Sequence, residues 1–404
     1  MFSTSSTVYT AKFQSRCLAA VVGDTSRHRF MVGTCNPREE NEIHVLNYDE
    51  RANVLSCVGS FQHPLEVVCL SPSPYDVGKV GTCGGLAKGS GYEAVLWSCS
   101  SMDEWGQDLE PTANGALNNA SSDEWAGRTK GILSPVAKLQ ACKDGYLRAL
   151  LWCPKDHERP GKLATLDGST LMRWDASGPT TLSKPEATFE VSEKGARCAA
   201  WSPHDAEEIA VGTEENLQIL DSRGPVSRLT ILQPHDGATL DVDYNPNKPS
   251  AIATAGDDGR VKFWDLRQPS APLKILRTGS HWCTRVQYNR FHDQLAVTSN
   301  ADKNVKLWRV SSISSAPLLE LGGDDPEDDS VMSESDDEHA YQDNNKPQAQ
   351  AADVEVKGNF DLHDDAVYGL SWSAADAWIF ASLSIDGRLV LNHVPSPEKY
   401  KILL

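Results

Sequence analysis

No stretch of this chain approaches the roughly 18 consecutive apolar residues that a bilayer-spanning helix requires, so no transmembrane segment is expected. Helix-period apolar patterns of useful length are also missing, which excludes a helical bundle as the main architecture. Cysteines occur at positions 17, 35, 57, 69, 83, 99, 142, 153, 198 and 283, yet no two stand at Cys-x-x-Cys spacing. That argues against a structural zinc site. Several thiols, such as Cys69 and Cys198, lie in apolar strands and read as small core residues, and free thiols fit a reducing cytosol. There is no Gly-x-Ser-x-Gly elbow and no His-x-x-x-His pair. The glycine-rich run from Gly81 to Gly91 contains Lys88 but lacks the Gly-Lys-Ser/Thr ending of a phosphate loop, so it reads as a turn. A basic stripe is absent too. With 38 Lys and Arg against 56 Asp and Glu, the net charge of −18 repels phosphates and argues against nucleic acid as a partner. No catalytic residue, metal or cofactor is expected.

What the chain has is a repeat. Asp258-Gly259-Arg260-Val261-Lys262-Phe263-Trp264-Asp265 is an acidic turn followed by a short alternating strand that ends in Trp-Asp. Trp308 stands 44 residues after Trp264, Leu220 stands 44 before it, and Trp174 stands 46 before Leu220. A second column, Trp152, Trp201, Tyr244, Tyr288 and Trp372, ends short apolar strands at a similar period, with an insertion before the last. Two registered columns at about 40–45 residues mark the four-stranded blades of a β-propeller. The turns carry Ser71-Pro72, Ser202-Pro203, Asn245-Pro246 and Asp386-Gly387, which punctuate strands for backbone reasons. The units begin near Val8, Leu65, Tyr146, Ala196, Thr239, Arg285 and Val367, so the expected fold is all-β, a seven-bladed closed ring spanning residues 1–404. Asn53 to Ser60 reads as the outer strand of the first blade and Tyr400 to Leu404 as that of the last. Each blade is then contiguous, with no strand exchanged between the ends.

A blade of this type links a loop His, a turn Asp, a strand Ser or Thr and the Trp ring nitrogen, because buried polar groups need partners. His235, Thr254, Asp258 and Trp264 form a complete set. The next unit has Thr298, Asp302 and Trp308, with Gly279 in the His position. The last has His363, Ser382 and Asp386, with Asn392 in place of Trp. These residues superficially resemble a catalytic triad, but their periodic recurrence points to a structural role.

Met1 to Val22 is Ser/Thr-rich, carries Lys12 and Arg16 and has no acid, a composition like that of a transit peptide. The favoured reading is that Val8 to Phe13 is the first inner strand, needed to close the ring. Two insertions interrupt the repeat. Residues 101–131 contain Asp103-Glu104-Trp105 and Asp123-Glu124-Trp125 among Asn, Ser and Gly, and read as a mobile loop whose tryptophans could dock a partner. Residues 322–357 precede the last unit, and the stretch from Asp324 to Asp343 holds ten acids and no Lys or Arg. Such a block should be disordered, as a solvated tether or a regulated contact. Ser333 and Ser335 each have an acid three residues on, the arrangement that acid-directed kinases favour.

Asn245-Pro246-Asn247-Lys248, the run Gly256 to Arg267, His292-Asp293-Gln294-Leu295, Ser311 to Pro317, and Trp372 to Leu404 closely resemble the EARP- and GARP-complex-interacting WD-repeat proteins. The likeness spans essentially the whole chain and is strongest from about Thr239. It implies a non-enzymatic scaffold that binds multisubunit vesicle tethers, in the cytoplasm and peripherally on the trans-Golgi network and on early and recycling endosomes. That scaffold would support retrieval and recycling. The resemblance carries over no functional residues.

On the residues themselves, His281 and Trp282 follow the vacated His position on a rim loop, with Arg285 near the start of the next strand. Trp282 is either a partner anchor or packed on the adjacent blade. Trp264-Asp265-Leu266-Arg267 also looks like the Trp-Asp-x-Arg signature of cullin-RING ubiquitin-ligase substrate receptors, in which the Arg, here Arg267, meets the adaptor. Asp221-Ser222-Arg223 is a weaker echo. An unspecialised scaffold is the third reading. A closed ring needs no second copy, so a monomer within a larger assembly is expected.

Overall fold

The computed structural model describes residues 7–37, 40–85, 91–100, 102, 129–142, 146–154, 158–177, 184–221, 223–224, 227–315, 353–358, 360 and 362–403. Seven sheets stand around a central bore, six antiparallel of four strands and one of five whose outermost pair is parallel. Each blade runs from an innermost strand outward. The fifth blade is representative, with strands Thr239–Tyr244, Ala251–Gly256, Arg260–Asp265 and Lys274–Arg277. The inner strands of the other blades are Ser15–Ala20, Glu66–Pro72, Ala149–Trp152, Ala196–Trp201, Cys283–Tyr288 and Val367–Trp372. Second strands such as Ala251–Gly256 and Leu295–Asn300 are buried along their whole length, because both sheet faces meet a neighbouring blade. Hence they open on continuous apolar stretches, Ala251 to Ala253 and Leu295 to Val297, rather than alternating, and buried polar residues such as Thr254 and Thr298 follow, each hydrogen-bonded.

Ring closure differs from the sequence expectation. The strand Thr7–Thr10 is the outer strand of the last blade, paired antiparallel with Arg388–Leu391, and the first inner strand begins at Ser15. The chain therefore starts on an outer strand, and one strand is exchanged between the ends. The physical reason is the free sheet edge at Arg388–His393. Tyr9 and Ala11 bury their side chains in the cluster that holds Leu389 and Leu391. With that edge taken, the C-terminal residues have no strand to pair with. Ser396–Leu403 is an α-helix, not the expected outer strand; Pro397 in its first turn suits a helix start, where a missing N–H costs nothing.

The insertions also differ in detail. Thr129–Gly131, inside the first expected loop, pairs in parallel with Gly59–Phe61 and becomes the fifth strand of the first blade. Val354–Val356, inside the second, is the outer strand of the sixth blade. The acidic insertion therefore interrupts the sixth blade rather than preceding the seventh. Its residues 324–343, with Ser333 and Ser335, lie outside the described residues, as do 103–128 with Trp105 and Trp125. Gly81 to Gly85 is not a turn but part of the strand Lys79–Gly85. Glycine is required there by packing: a Cβ on Gly81 would lie 2.5 Å from Leu150 Cδ2 of the next blade. Among the described residues, no helix is long and apolar enough to cross a membrane.

Candidate functional site

The hydrogen-bond set in the fifth blade is assembled from two strands, the turn between them and one loop. His235 places Nδ1 3.0 Å from Asp258 Oδ1 and Nε2 2.8 Å from Thr254 Oγ1, and Trp264 Nε1 donates to the same hydroxyl at 3.0 Å. Gly256 leaves the room for the imidazole, since a Cβ there would collide with the His235 ring. Burial pushes the Asp258 carboxyl up, but the His235 hydrogen bond and charge win and hold it at about 2. All four side chains are enclosed by the blade, so a substrate has no route to them.

Other blades keep fragments. In the sixth, Trp308 Nε1 donates to Thr298 Oγ1 at 2.9 Å, while Ser280 N–H and Oγ donate to Asp302 in place of the missing His. In the seventh, His363 Nε2 lies 2.8 Å from Ser382 Oγ, but Nδ1 meets Ser384 Oγ at 2.9 Å, and Ser384 relays the contact to Asp386. Asn392 Nδ2 donates to Ser382 Oγ at 3.1 Å where a Trp would. The second blade holds a set that sequence reasoning missed. His63 Nε2 lies 3.1 Å from Thr82 Oγ1 and Trp97 Nε1 donates to it at 2.8 Å. Trp97 stands 15 residues after Thr82 instead of 10, so a fixed-spacing search passes over it.

Burial pushes His63 and His363 down to about 4. Unfolded histidine takes its proton near pH 6.5, so each ring's contribution is complete above that and is lost as pH falls through about 4. Buried Asp243, raised to about 6 chiefly by burial, works the other way between its unfolded value and that pH. The readout is therefore a difference. The stability gap between the native chain and His363→Gln should shrink by on the order of 2–3 kcal/mol between pH 7 and pH 4.5. Urea midpoints at both values measure it, and an unchanged gap would contradict the assignment.

At the rim, Trp282 lies between the strands Lys274–Arg277 and Cys283–Tyr288 and is 48% exposed. His281 meets it edge-on with ring centroids 5.0 Å apart, and its Nδ1 accepts the Trp282 N–H. Arg285 does not join this pair as a free rim cation. It is on the inner strand and faces the bore, where Nη1 bonds Asp241 Oδ1 at 3.2 Å and Nε donates to the Tyr368 carbonyl at 3.1 Å. The Asp241 charge holds the Arg285 guanidinium above the usual arginine value, while burial pushes Asp241 up.

Arg267 sits in the turn after Trp264-Asp265 and is 73% exposed, yet its guanidinium is taken by Asp265, at 2.9 Å from Nε and 2.6 Å from Nη2. Arg223 repeats the arrangement on Asp221. Arg267, Leu266, Arg228 and Pro249 line a groove of about 470 Å³ between the fourth and fifth blades. Among the described residues, one group could hold a cation. His28, Glu50 and Asp376 bring ligand atoms within 4.8 Å of one another where the first and last blades meet, with His28 Nδ1 2.9 Å from Ser373 Oγ. Sequence spacing could not reveal it, because ring closure alone brings these residues together.

Residues 3–308 match the family model described as EIPR1 beta-propeller, and residues 355–391 match the WD domain, G-beta repeat. The chain is 32% identical to the EARP-interacting protein homolog of Gekko japonicus and 31% identical to EARP and GARP complex-interacting protein 1 of Homo sapiens, with 98% of each chain covered. It is 30% identical to WD repeat-containing protein DWA2 of Arabidopsis thaliana over 96% of this chain and 95% of that one. A chain in a crystal structure of the mitotic checkpoint complex superposes with a TM-score of 0.61 at 13% identity, covering 98% of this chain and 93% of that one, which reflects the fold alone. With its seven blades and its repeat columns accounted for over this length, the chain belongs to the EIPR1 beta-propeller family.

Proposed function

We propose that this protein is a non-enzymatic scaffold that binds multisubunit vesicle-tethering complexes of the EARP and GARP type and supports endosome-to-trans-Golgi retrieval and endosomal recycling. The observation that carries the reading is end-to-end similarity to relatives named for interaction with those complexes. Its setting is the cytoplasmic face of the trans-Golgi network and of early and recycling endosomes, as a monomer within the larger assembly and without insertion into the bilayer. Phosphorylation at Ser333 and Ser335 would add charge to an already acidic stretch and tune the contact. Trp282, beside His281, is the proposed anchor, since a half-exposed Trp on a rim loop supplies large contact area at small entropic cost. Trp282→Ala should reduce recovery of tether subunits in affinity purification about tenfold or more while leaving the melting temperature unchanged. Undiminished recovery would remove Trp282 from the interface. Recovery of cullin-adaptor subunits in place of tether subunits would favour the ubiquitin-ligase reading, in which Arg267 would first have to release Asp265.

A further inference from the structure

In six blades the inner strand slips register by one residue, between Ser15 and Cys17, Val67 and Cys69, Ala196 and Cys198, Thr239 and Asp241, Cys283 and Arg285, and Val367 and Gly369. The residue left without a cross-strand partner has its side chain re-aimed, as bulges commonly do at rims and sites. Arg16 and Arg197 hold this place in the first and fourth blades. In the third, Arg148 holds it directly before Ala149, with its N–H on the Leu166 carbonyl at 2.8 Å. Three arginines therefore stand at one level of the ring, two on its innermost strands and Arg148 directly before one, at the end of the bore where those strands begin.

Their pairing is incomplete. Arg197 pairs with Glu214, but neither Arg16 nor Arg148 forms an ion pair among the described residues. Arg16 lies over the Tyr368 ring at 5.0 Å, and Arg148 lies over the Tyr146 ring at 4.9 Å. Nε of Arg148 and Nε of Arg197 are buried without a hydrogen-bond partner. Burial, then the charges of Arg197 and Arg16, push Arg148 below the ordinary arginine value, so Arg148 is repelled by both of the others. Among the described residues, Glu214 is taken by Arg197, Asp241 is committed to Arg285, and Glu66 acts on Cys35 together with Arg16. In a chain of net charge −18, this is a local surplus of positive charge with aromatic walls.

We propose that the bore mouth docks an acidic peptide segment of a partner protein, with Arg16, Arg148 and Arg197 taking its carboxylates while Tyr146 and Tyr368 hold the guanidinium planes. A planar fork stacked on a ring is suited to a carboxylate, which it can grip through two parallel hydrogen bonds. Because the arginines sit on or directly before the innermost strands, a flat bilayer cannot reach them, whereas an extended peptide can. An incoming anion would also relieve the repulsion that Arg148 feels from Arg197 and Arg16. The inference concerns the chemistry of the docked segment and does not depend on which complex supplies it.

The test is titration of a fluorescein-labelled polyglutamate peptide with the full-length chain at low and at raised salt. Saturable binding that weakens with salt is expected. Arg16→Gln should weaken it about tenfold, and the Arg16→Gln/Arg148→Gln pair further, with Lys138→Gln on an outer strand as the control. Arg16 is exposed and makes no ion pair, so its variant folds independently of the outcome; a thermal melt checks the pair. Absence of saturable binding, equal binding by Arg16→Gln, or binding of inositol hexakisphosphate with none of the peptide would each overturn the proposal.

Discussion

Removal of residues 1–13 is expected to open the ring and leave a chain that aggregates. The strand Thr7–Thr10 pairs with four residues of the strand Arg388–His393, and the Ala11 N–H extends the ladder to the Gly387 carbonyl at 2.8 Å. Tyr9 and Ala11 are buried against Leu389 and Leu391, and the Tyr9 hydroxyl meets His44 Nδ1 of the first blade at 3.0 Å. One short strand thus joins the last sheet to the first. Without it, Arg388–His393 becomes a bare edge carrying apolar side chains, the usual template for intermolecular pairing. The cost is several kcal/mol against a total stability of about 5–15 kcal/mol. Truncation of residues 399–404 should matter far less, because the terminal helix has no buried residue and this stretch meets the core only through Ile402, partly buried on the cluster that holds Trp372 and Phe380, and Lys399 over the Trp378 ring, among the described residues. Soluble yield and circular-dichroism melts of the two truncations decide the matter. A synthetic peptide of residues 1–13 should partly restore the first. A chain lacking these residues that melts with the full-length protein would refute the closure as described.

This exchange shows where sequence reading stops. Val8 to Phe13 has the alternation of a strand whichever sheet it joins, and only a contact nearly 380 residues away in sequence, Thr10 to Arg388, selects the last blade. The fifth blade was legible because each of its determinants is local. The Asp258-Gly259 turn, the Trp-Asp ending and His235 at its fixed offset all lie within one period. The first blade has no Trp-Asp and loses its register. Val354–Val356 was invisible because three residues beside a long acidic block carry no pattern. The candidate sites divide along the same line. Trp282 could be placed on a rim loop from the neighbouring repeats, but the Arg285–Asp241 pair, the Arg16–Tyr368 stack and the His28–Glu50–Asp376 group each join different blades. A period describes one blade and says nothing of what adjacent blades place side by side.

His235→Ala should cost about 3–5 kcal/mol of stability while leaving partner capture intact below its lowered melting temperature, because the change removes two buried contacts and leaves a cavity beside a carboxylate that has lost its nearest side-chain partner. Thr254 Oγ1 loses its His partner and keeps the Trp264 donor, and Asp258 keeps the backbone N–H groups of Arg260 and Asp236 and the Lys262 ammonium at 3.9 Å. The sixth blade shows what a blade needs in order to do without this histidine. There Gly279 stands in its place, and the following Ser280 turns its N–H and hydroxyl onto Asp302. In the fifth blade the equivalent of Ser280 is Asp236, which would set a second carboxylate against Asp258. His235→Gly should therefore be at least as damaging as His235→Ala, and adding Asp236→Ser should recover part of the loss by supplying the hydroxyl and removing the like charge. Chemical denaturation of the three variants reads this order directly. If His235→Ala melts with the native chain, or if the serine brings no recovery, the buried set does not hold the fifth blade together in the way its hydrogen bonds indicate.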